Sequence, residues 1–82
     1  MPGRKSRSAR KTPVAVALGK VLYAQRKGRG LTQERFAELV DISKNYVGNV
    51  ERGEYELSLS ALNRISRTLG TTASAMLKRA GF

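Results

Sequence analysis

Residues 32–53 constrain the fold of this chain more tightly than any other segment, because they hold two helical patterns separated by a very short turn. Apolar residues at i, i+1 and i+4, and then at i and i+3, give each pattern one face that can be buried. These stripes are Phe36, Ala37 and Val40 in the first pattern, and Val47 and Val50 in the second. Ala37 is small enough to let two helices cross closely.

The sequence also predicts where the two helices begin and end. Thr32 is suited to the N-cap of the first helix and Ser43 to that of the second. The turn between them is limited to residues 40–43, and Asp41 lies where a left-handed residue is needed, a conformation that Asp tolerates better than most. The pattern predicts a helix-turn-helix over about 32–40 and 43–52, a unit that lays its second helix into the DNA major groove.

A wider pattern resembles the Cro/repressor-type helix-turn-helix family, also called XRE-like or lambda-repressor-like. The matching residues are Leu31-Thr32-Gln33, Phe36-Ala37, Val47 to Val50, Glu51-Arg52-Gly53, and Ser58, Leu59, Leu62, Ile65, Leu69 and Gly70. The resemblance implies a bacterial or phage regulator, such as a restriction–modification controller or a similar stand-alone repressor. Two positions depart from the family pattern: Asp41 replaces the usual turn Gly, and Leu57 stands where Pro often precedes the Ser cap. We expect Leu57 to lie exposed in a loop.

Three further helices are expected around this unit. Helix one is predicted from Pro13 to about Lys27, helix four from the Ser58 cap to Leu69, and helix five over residues 74–80. Their predicted inward residues are Val14, Leu18, Val21 and Leu22 in helix one, Leu59, Leu62, Ile65 and Leu69 in helix four, and Met76 and Leu77 in helix five. The predicted fold is therefore all-α: a compact five-helix lambda-repressor-like domain over residues 13–82.

Composition restricts the classes of function. The chain has 82 residues, a formal net charge of +10, no Cys and no His, which favours a polyanionic partner and removes thiol chemistry, most metal sites and the commonest general base. We expect double-stranded DNA as partner, no cofactor, no metal and no enzymatic activity. No apolar run approaches the roughly 20 residues of a membrane span. With no secretory signal in view, a cytoplasmic, nucleoid-associated protein is expected.

Residues 1–12 form a basic N-terminal arm that cannot bury enough apolar surface to order itself. Its charged residues are Arg4, Lys5, Arg7, Arg10 and Lys11, half of the net charge of +10. One interpretation is an arm that follows phosphates or enters the minor groove. The other is a solvated, disordered leader that raises affinity without adding specificity.

The second helix of the predicted helix-turn-helix, over about 43–52, is the recognition helix. Such a helix reads bases with the side chains that point away from its apolar stripe. With Val47 and Val50 inward, the outward set is Lys44, Asn45, Gly48 and Asn49. A Lys can donate to guanine, and an Asn can pair bidentately with adenine. For Gly48 two interpretations remain open: close approach of the helix backbone to DNA, or free variation.

The resemblance supplies roles for the residues around this set. It implies that Gln33 holds a phosphate and braces Lys44 or Asn45, and that Arg26 pairs with Glu51 to tie helix one to helix three. The remaining candidates for phosphate contact are Ser43, Tyr46, Arg52 and Arg35. For Tyr46 the alternative is packing over the junction of helices two and three. For Arg35, Lys20, Arg64, Arg67, Lys78 and Arg79 the alternative is a solvated face.

A short recognition helix reads few base pairs, so we expect a homodimer on an inverted repeat. The candidate interface residues are Tyr55, Leu57, Met76, Leu77 and Phe82, although Phe82 could equally be a frayed terminus. Three functions remain open: a sequence-specific regulator, an antitoxin-type module that masks a toxin, and a non-specific basic nucleic-acid binder. The first requires one short palindromic operator, the second a protein partner, and the third only charge.

Overall fold

The computed structural model describes residues 11–82, which form five α-helices and no strand. The helices are α1 Pro13–Gly28, α2 Gln33–Val40, α3 Lys44–Glu51, α4 Leu59–Thr68 and α5 Ala73–Arg79. The prediction of an all-α, five-helix domain with a helix-turn-helix is confirmed. Arg4, Lys5, Arg7 and Arg10 lie outside the described residues. None of the five helices is long and apolar enough to cross a membrane.

Each of these helices starts after a Ser or Thr whose side-chain oxygen accepts a backbone N–H of the first turn. The capping residues are Thr12, Thr32, Ser43, Ser58 and Thr72. This contact satisfies one of the N–H groups that a helix start leaves without an intrahelical partner. Helix α5 begins one residue earlier than predicted because Thr72 supplies its cap.

The turn between α2 and α3 is held in the expected left-handed form. Asp41 has φ 59° and ψ 50°, and the N–H of Ile42 donates to the carbonyl of Ala37 at 3.0 Å. From α4, Arg64 Nη1 donates to the carbonyl of Asp41 at 3.0 Å. Arg64 therefore does more than cover a solvated face, because it fastens the turn to the body of the domain.

One core joins all five helices. Its buried members are Leu18, Leu22, Phe36, Ala37, Val40, Val47, Val50, Leu62, Ile65, Leu69 and Met76. Val14, Val21 and Leu77 are half-buried against it, and so is Leu57. The expectation of an exposed Leu57 is therefore wrong, because the loop folds this side chain back onto the core.

Leu59 is the clearest failure of the apolar-stripe prediction, since it is 76% exposed. Successive steps of three residues rotate about 60° around a helix. The buried face of α4 is set by Leu62, Ile65, Ser66 and Leu69, so Leu59 falls at its edge, in the first turn. A repeat of i+3 spacings alone overestimates how far a buried stripe extends.

Helices α1 and α3 approach each other at Gly19. A Cβ at this position would lie 2.4 Å from the carbonyl oxygen of Val50 and 2.9 Å from that of Glu51. Only a residue without a side chain permits this backbone contact. Gly19 therefore sets the position of the recognition helix relative to the rest of the domain.

Candidate nucleic-acid interface

The outward face of α3 is polar and lines a shallow cleft of about 310 Å³. Lys44 and Asn45 are exposed and Asn49 is half-buried. Gln33 and Arg52 complete the lining. The predicted base-reading side chains thus share one face with two of the predicted phosphate contacts, and each of these groups can hydrogen-bond to a base edge or a phosphate.

Gly48 is the position for which the sequence leaves both close approach to DNA and free variation open. It is buried, because side chains of the protein itself lie over it. A Cβ here would lie 3.1 Å from Arg52 Nη1 and 3.7 Å from the amide atoms of Gln33. The space in front of Gly48 is occupied by a guanidinium group of the same helix end.

Arg52 follows the last residue of α3, and its guanidinium faces two acceptor oxygens of the protein. Its Nη2 donates to Asn49 Oδ1, and its Nε lies 3.3 Å from Glu54 Oε2. Glu54 is a participant that the sequence pattern did not identify. Its carboxylate shares the charge of Arg52, which leaves less of that charge for a phosphate.

Arg26 and Glu51 form a buried, two-pronged ion pair between α1 and α3. Arg26 Nε donates to Oε2 at 2.6 Å and Nη2 donates to Oε1 at 3.0 Å, with side chains 8% and 4% exposed. Arg26 Nη1 also donates to the carbonyl of Leu31 at 2.8 Å. The hydrogen bonds to Glu51 raise the pKa of Arg26, although burial acts to lower it. The guanidinium therefore stays charged.

Gln33 extends this pair to α2. Its Nε2 donates to Glu51 Oε1 at 3.0 Å, a contact that the resemblance does not imply. A carboxylate is a strong acceptor for an amide N–H, and the brace to Lys44 or Asn45 stays a prediction. Three helices meet at Glu51, and the one acid of α3 is turned away from the polar outward face of that helix.

Ser43 and Tyr46, two predicted phosphate contacts, also make contacts within the protein. The N–H of Tyr46 donates to Ser43 Oγ at 3.1 Å, and the rings of Tyr46 and Tyr55 lie 6.0 Å apart at 41°. Tyr46 is half-buried against the core, which matches the packing alternative. Arg35 is paired with Glu38 at 2.9 Å on the exposed face of α2.

A second groove of about 600 Å³ opens beside the first, between the end of α1 and the start of α2. Lys27 and Lys44 line it, together with Gln33 and the acidic Glu34 in the first turn of α2. A helix N-terminus carries partial positive charge and N–H donors, which favour an anion. Lys27 is not among the residues that the sequence pattern identifies. The signal for it is its place in the last turn of α1, just before the glycine-flanked loop.

The predicted dimer residues differ in their exposure and fall into three groups. Tyr55 and Phe82 are exposed, at 38% and 64%. Leu57 and Leu77 are half-buried against the core, and Met76 is fully buried at 0%. Met76 therefore belongs to the core and must be removed from the candidate interface, because its side chain has no surface to offer a second copy.

Comparison with known proteins gives the same architecture. A family described as "Helix-turn-helix" matches residues 22–75. The immunity repressor of Bacillus phage phi105 is 37% identical over 62 residues, which are 76% of this chain but only 43% of that protein. The control protein C.SmaI of Serratia marcescens is 33% identical over 64 residues, 78% of this chain and 76% of that one. A crystal structure of the clp gene regulator ClgR from Corynebacterium glutamicum superposes with a TM-score of 0.78 at 30% identity, covering 89% of this chain and 94% of that one.

Proposed function

The chain belongs to the Cro/repressor-type helix-turn-helix family, and from this premise we propose that it is a sequence-specific, double-stranded DNA-binding transcriptional regulator. The observation that carries the proposal is the polar outward face of α3. Lys44, Asn45 and Asn49 share that face, while Glu51 is turned inward and paired. The family consists of transcriptional regulators rather than enzymes.

The chemistry of this face suits base readout. An Asn side chain offers one acceptor and two donors, which match the N6 and N7 atoms of adenine, and a Lys at the helix start can donate to guanine O6 or N7. Around it, Gln33, Arg52 and the groove at the start of α2 supply donors for phosphates. Base readers surrounded by backbone-contacting groups are typical of major-groove recognition.

We further propose that the protein binds a palindromic operator as a homodimer and acts as a repressor or autoregulator. Helix α3 runs only from Lys44 to Glu51, and two copies on half-sites about 34–36 Å apart would read enough base pairs for specificity. Tyr55 and Phe82 are the exposed apolar residues left from the predicted interface. The relatives named as an immunity repressor and as a control protein support a repressing or autoregulating role.

A random-library selection tests this function. The purified protein is mixed with randomised duplexes at about 0.15 M salt, and the retained DNA is sequenced. We expect a short motif with twofold symmetry. Retention without a motif, disappearing as salt rises, would contradict specific recognition and leave a charge-driven binder.

Alanine substitutions of the two asparagines test the assignment of base readers. Asn45→Ala and Asn49→Ala should each lose about 1–3 kcal/mol on the selected site, with little change on random DNA, because each removes a bidentate contact to a base. Asn63→Ala, an exposed asparagine on α4, is the matched control and should leave both affinities unchanged. An equal loss on specific and random DNA would remove either asparagine from the readout.

Deletion of residues 1–11 tests the basic arm. The slope of log K against log salt concentration is negative, and each phosphate contact removed should reduce its magnitude by about 0.9. A variant with Arg4, Lys5, Arg7, Arg10 and Lys11 replaced by Gln keeps the length and removes only charge, so it should give the same flatter slope. A slope that stays the same in both variants would show that the arm does not touch DNA.

A further inference from the structure

Arg52 and Gly48 carry an inference that deepens the proposed function and rests on it. We propose that Arg52 is a positioning residue that holds the Asn49 amide in its base-reading orientation. In this proposal, Gly48 is glycine because the guanidinium must lie across the helix at that point. The juxtaposition of Asn49, Gly48 and Arg52 on one face of α3 is the observation behind it.

The guanidinium has a partner on each of two sides. Nη2 donates to Asn49 Oδ1, and Nε faces Glu54 Oε2 at 3.3 Å. A planar guanidinium with donors on two edges can serve both acceptors at once, which a lysine ammonium on a flexible stem does not reproduce. Glu54 therefore holds Arg52 in the position from which it reaches Asn49.

Gly48 gives the guanidinium its space. The residue lies inside α3 with no left-handed backbone angle, so the backbone itself does not require glycine, and glycine weakens a helix relative to alanine. A Cβ at Gly48 would lie 3.1 Å from Arg52 Nη1, closer than ordinary contact. An alanine here would require the guanidinium to shift by a few tenths of an ångström, and we attribute the glycine to the position of this side chain.

The consequence for recognition follows from the chemistry of an amide. Asn49 needs its oxygen toward adenine N6 and its nitrogen toward N7 at the same time. A donor on Oδ1 selects one of the two amide orientations, while the second lone pair of that oxygen and the NH₂ group remain for a base. Orienting the amide before binding reduces the side-chain ordering that binding must otherwise impose.

The contact is tested first without DNA, so that its failure is distinguishable from failure of the proposed function. The side-chain amide resonances of asparagine are recorded by ¹⁵N NMR for the full chain and for Arg52→Lys, which keeps the positive charge. We expect the Asn49 signals to shift and those of Asn45 and Asn63 to stay in place. Unchanged Asn49 signals would overturn the proposal, whatever the DNA result.

The role is then tested on the selected motif by measuring discrimination at each base position. Arg52→Lys should lose about fivefold in discrimination at the position that Asn49→Ala identifies, since one bidentate contact accounts for at least that factor. An Arg52 that only neutralises a phosphate would instead keep full discrimination in Arg52→Lys. That result would overturn the positioning role even if the NMR signals move.

Gly48→Ala separates the two explanations for the glycine. In the native background it should lower discrimination at the Asn49 position, because the new methyl group displaces the guanidinium. In the Arg52→Ala background the same substitution should have no further effect, since there is nothing left to displace; such non-additivity is the signature of coupled residues. A loss of the same size in both backgrounds would show that DNA itself needs the space, and would refute our assignment of Gly48.

Discussion

Gly19→Ala should destabilise the protein strongly, even though alanine is the better helix former. The added Cβ would lie 2.4 Å from the carbonyl oxygen of Val50, and backbone cannot move aside as a flexible side chain can. Overpacking typically costs about 1–3 kcal/mol, and a contact with backbone belongs at the upper end. The gain in helix propensity is about 1 kcal/mol, so we expect a net loss of about 2 kcal/mol.

Thermal unfolding measures this effect, and Gly28→Ala is its matched control. Gly28 is the last residue of α1, and a Cβ added there would meet no neighbouring group within 4 Å, so alanine should stabilise by up to about 1 kcal/mol. For a domain of this size the Gly19 variant should melt about 8–16 °C lower. Equal melting temperatures for the two variants would mean that α1 and α3 do not meet closely at Gly19.

The contrast between these two glycines shows what a sequence pattern can resolve. Both lie in one helical segment, and both are unfavourable for a helix in isolation. What separates them is the helix that packs against one and not against the other, which is a tertiary contact. The spacing of apolar residues along one helix carries no information about such a contact. It therefore does not distinguish Gly19, which positions the recognition helix, from Gly28.

Features set by local chemistry were predictable from the sequence. The caps Thr32, Ser43 and Ser58 and the left-handed Asp41 depend on a few neighbouring residues, and the apolar stripes of α2 and α3 depend on spacing alone. The stripe of α4 shows the limit. Leu59 satisfies the spacing but lies beyond the edge of the core.

Side-chain partners were less predictable, because several groups compete for each donor. The resemblance implies that Gln33 braces a base reader, but it does not indicate that the buried carboxylate of Glu51 accepts a hydrogen bond from the Gln33 amide. The same competition determines the partners of Arg52. The sequence predicts only a phosphate contact for it, whereas in the structure it contacts Asn49 and Glu54. Such choices follow from distances and burial, which the order of residues does not specify.

The second large effect is expected at Glu51, where three helices are held by one carboxylate. Glu51→Gln keeps the size of the side chain and turns one acceptor oxygen into a donor. In the native protein, Oε2 accepts from Arg26 Nε at 2.6 Å and Oε1 accepts from Arg26 Nη2 at 3.0 Å. Whichever of these two oxygens the NH₂ group replaces, it faces an N–H of Arg26. A buried Arg26 then lacks its counter-charge, and loss of one partner of such a pair costs about 3–5 kcal/mol.

An exposed pair in the same domain provides the control for Glu51→Gln. Glu38 pairs with Arg35 at 2.9 Å, but the two side chains are about 60% exposed, so Glu38→Gln should change stability by less than about 1 kcal/mol. Chemical denaturation of both variants measures the difference. If Glu51→Gln is as mild as Glu38→Gln, the carboxylate is solvated and the α1–α3 pair does not hold the domain together.

The double substitution Arg26→Met with Glu51→Leu shows what the pair contributes beyond stability. Removing both charges leaves neither one buried alone, so this variant should be more stable than Glu51→Gln, as replaced buried pairs often are. Its apolar side chains provide no acceptor for Gln33 and no directional contact between α1 and α3. We therefore expect the double variant to recover stability but to bind the selected DNA site more weakly than the native protein does. Full recovery of both would mean that packing alone positions the recognition helix.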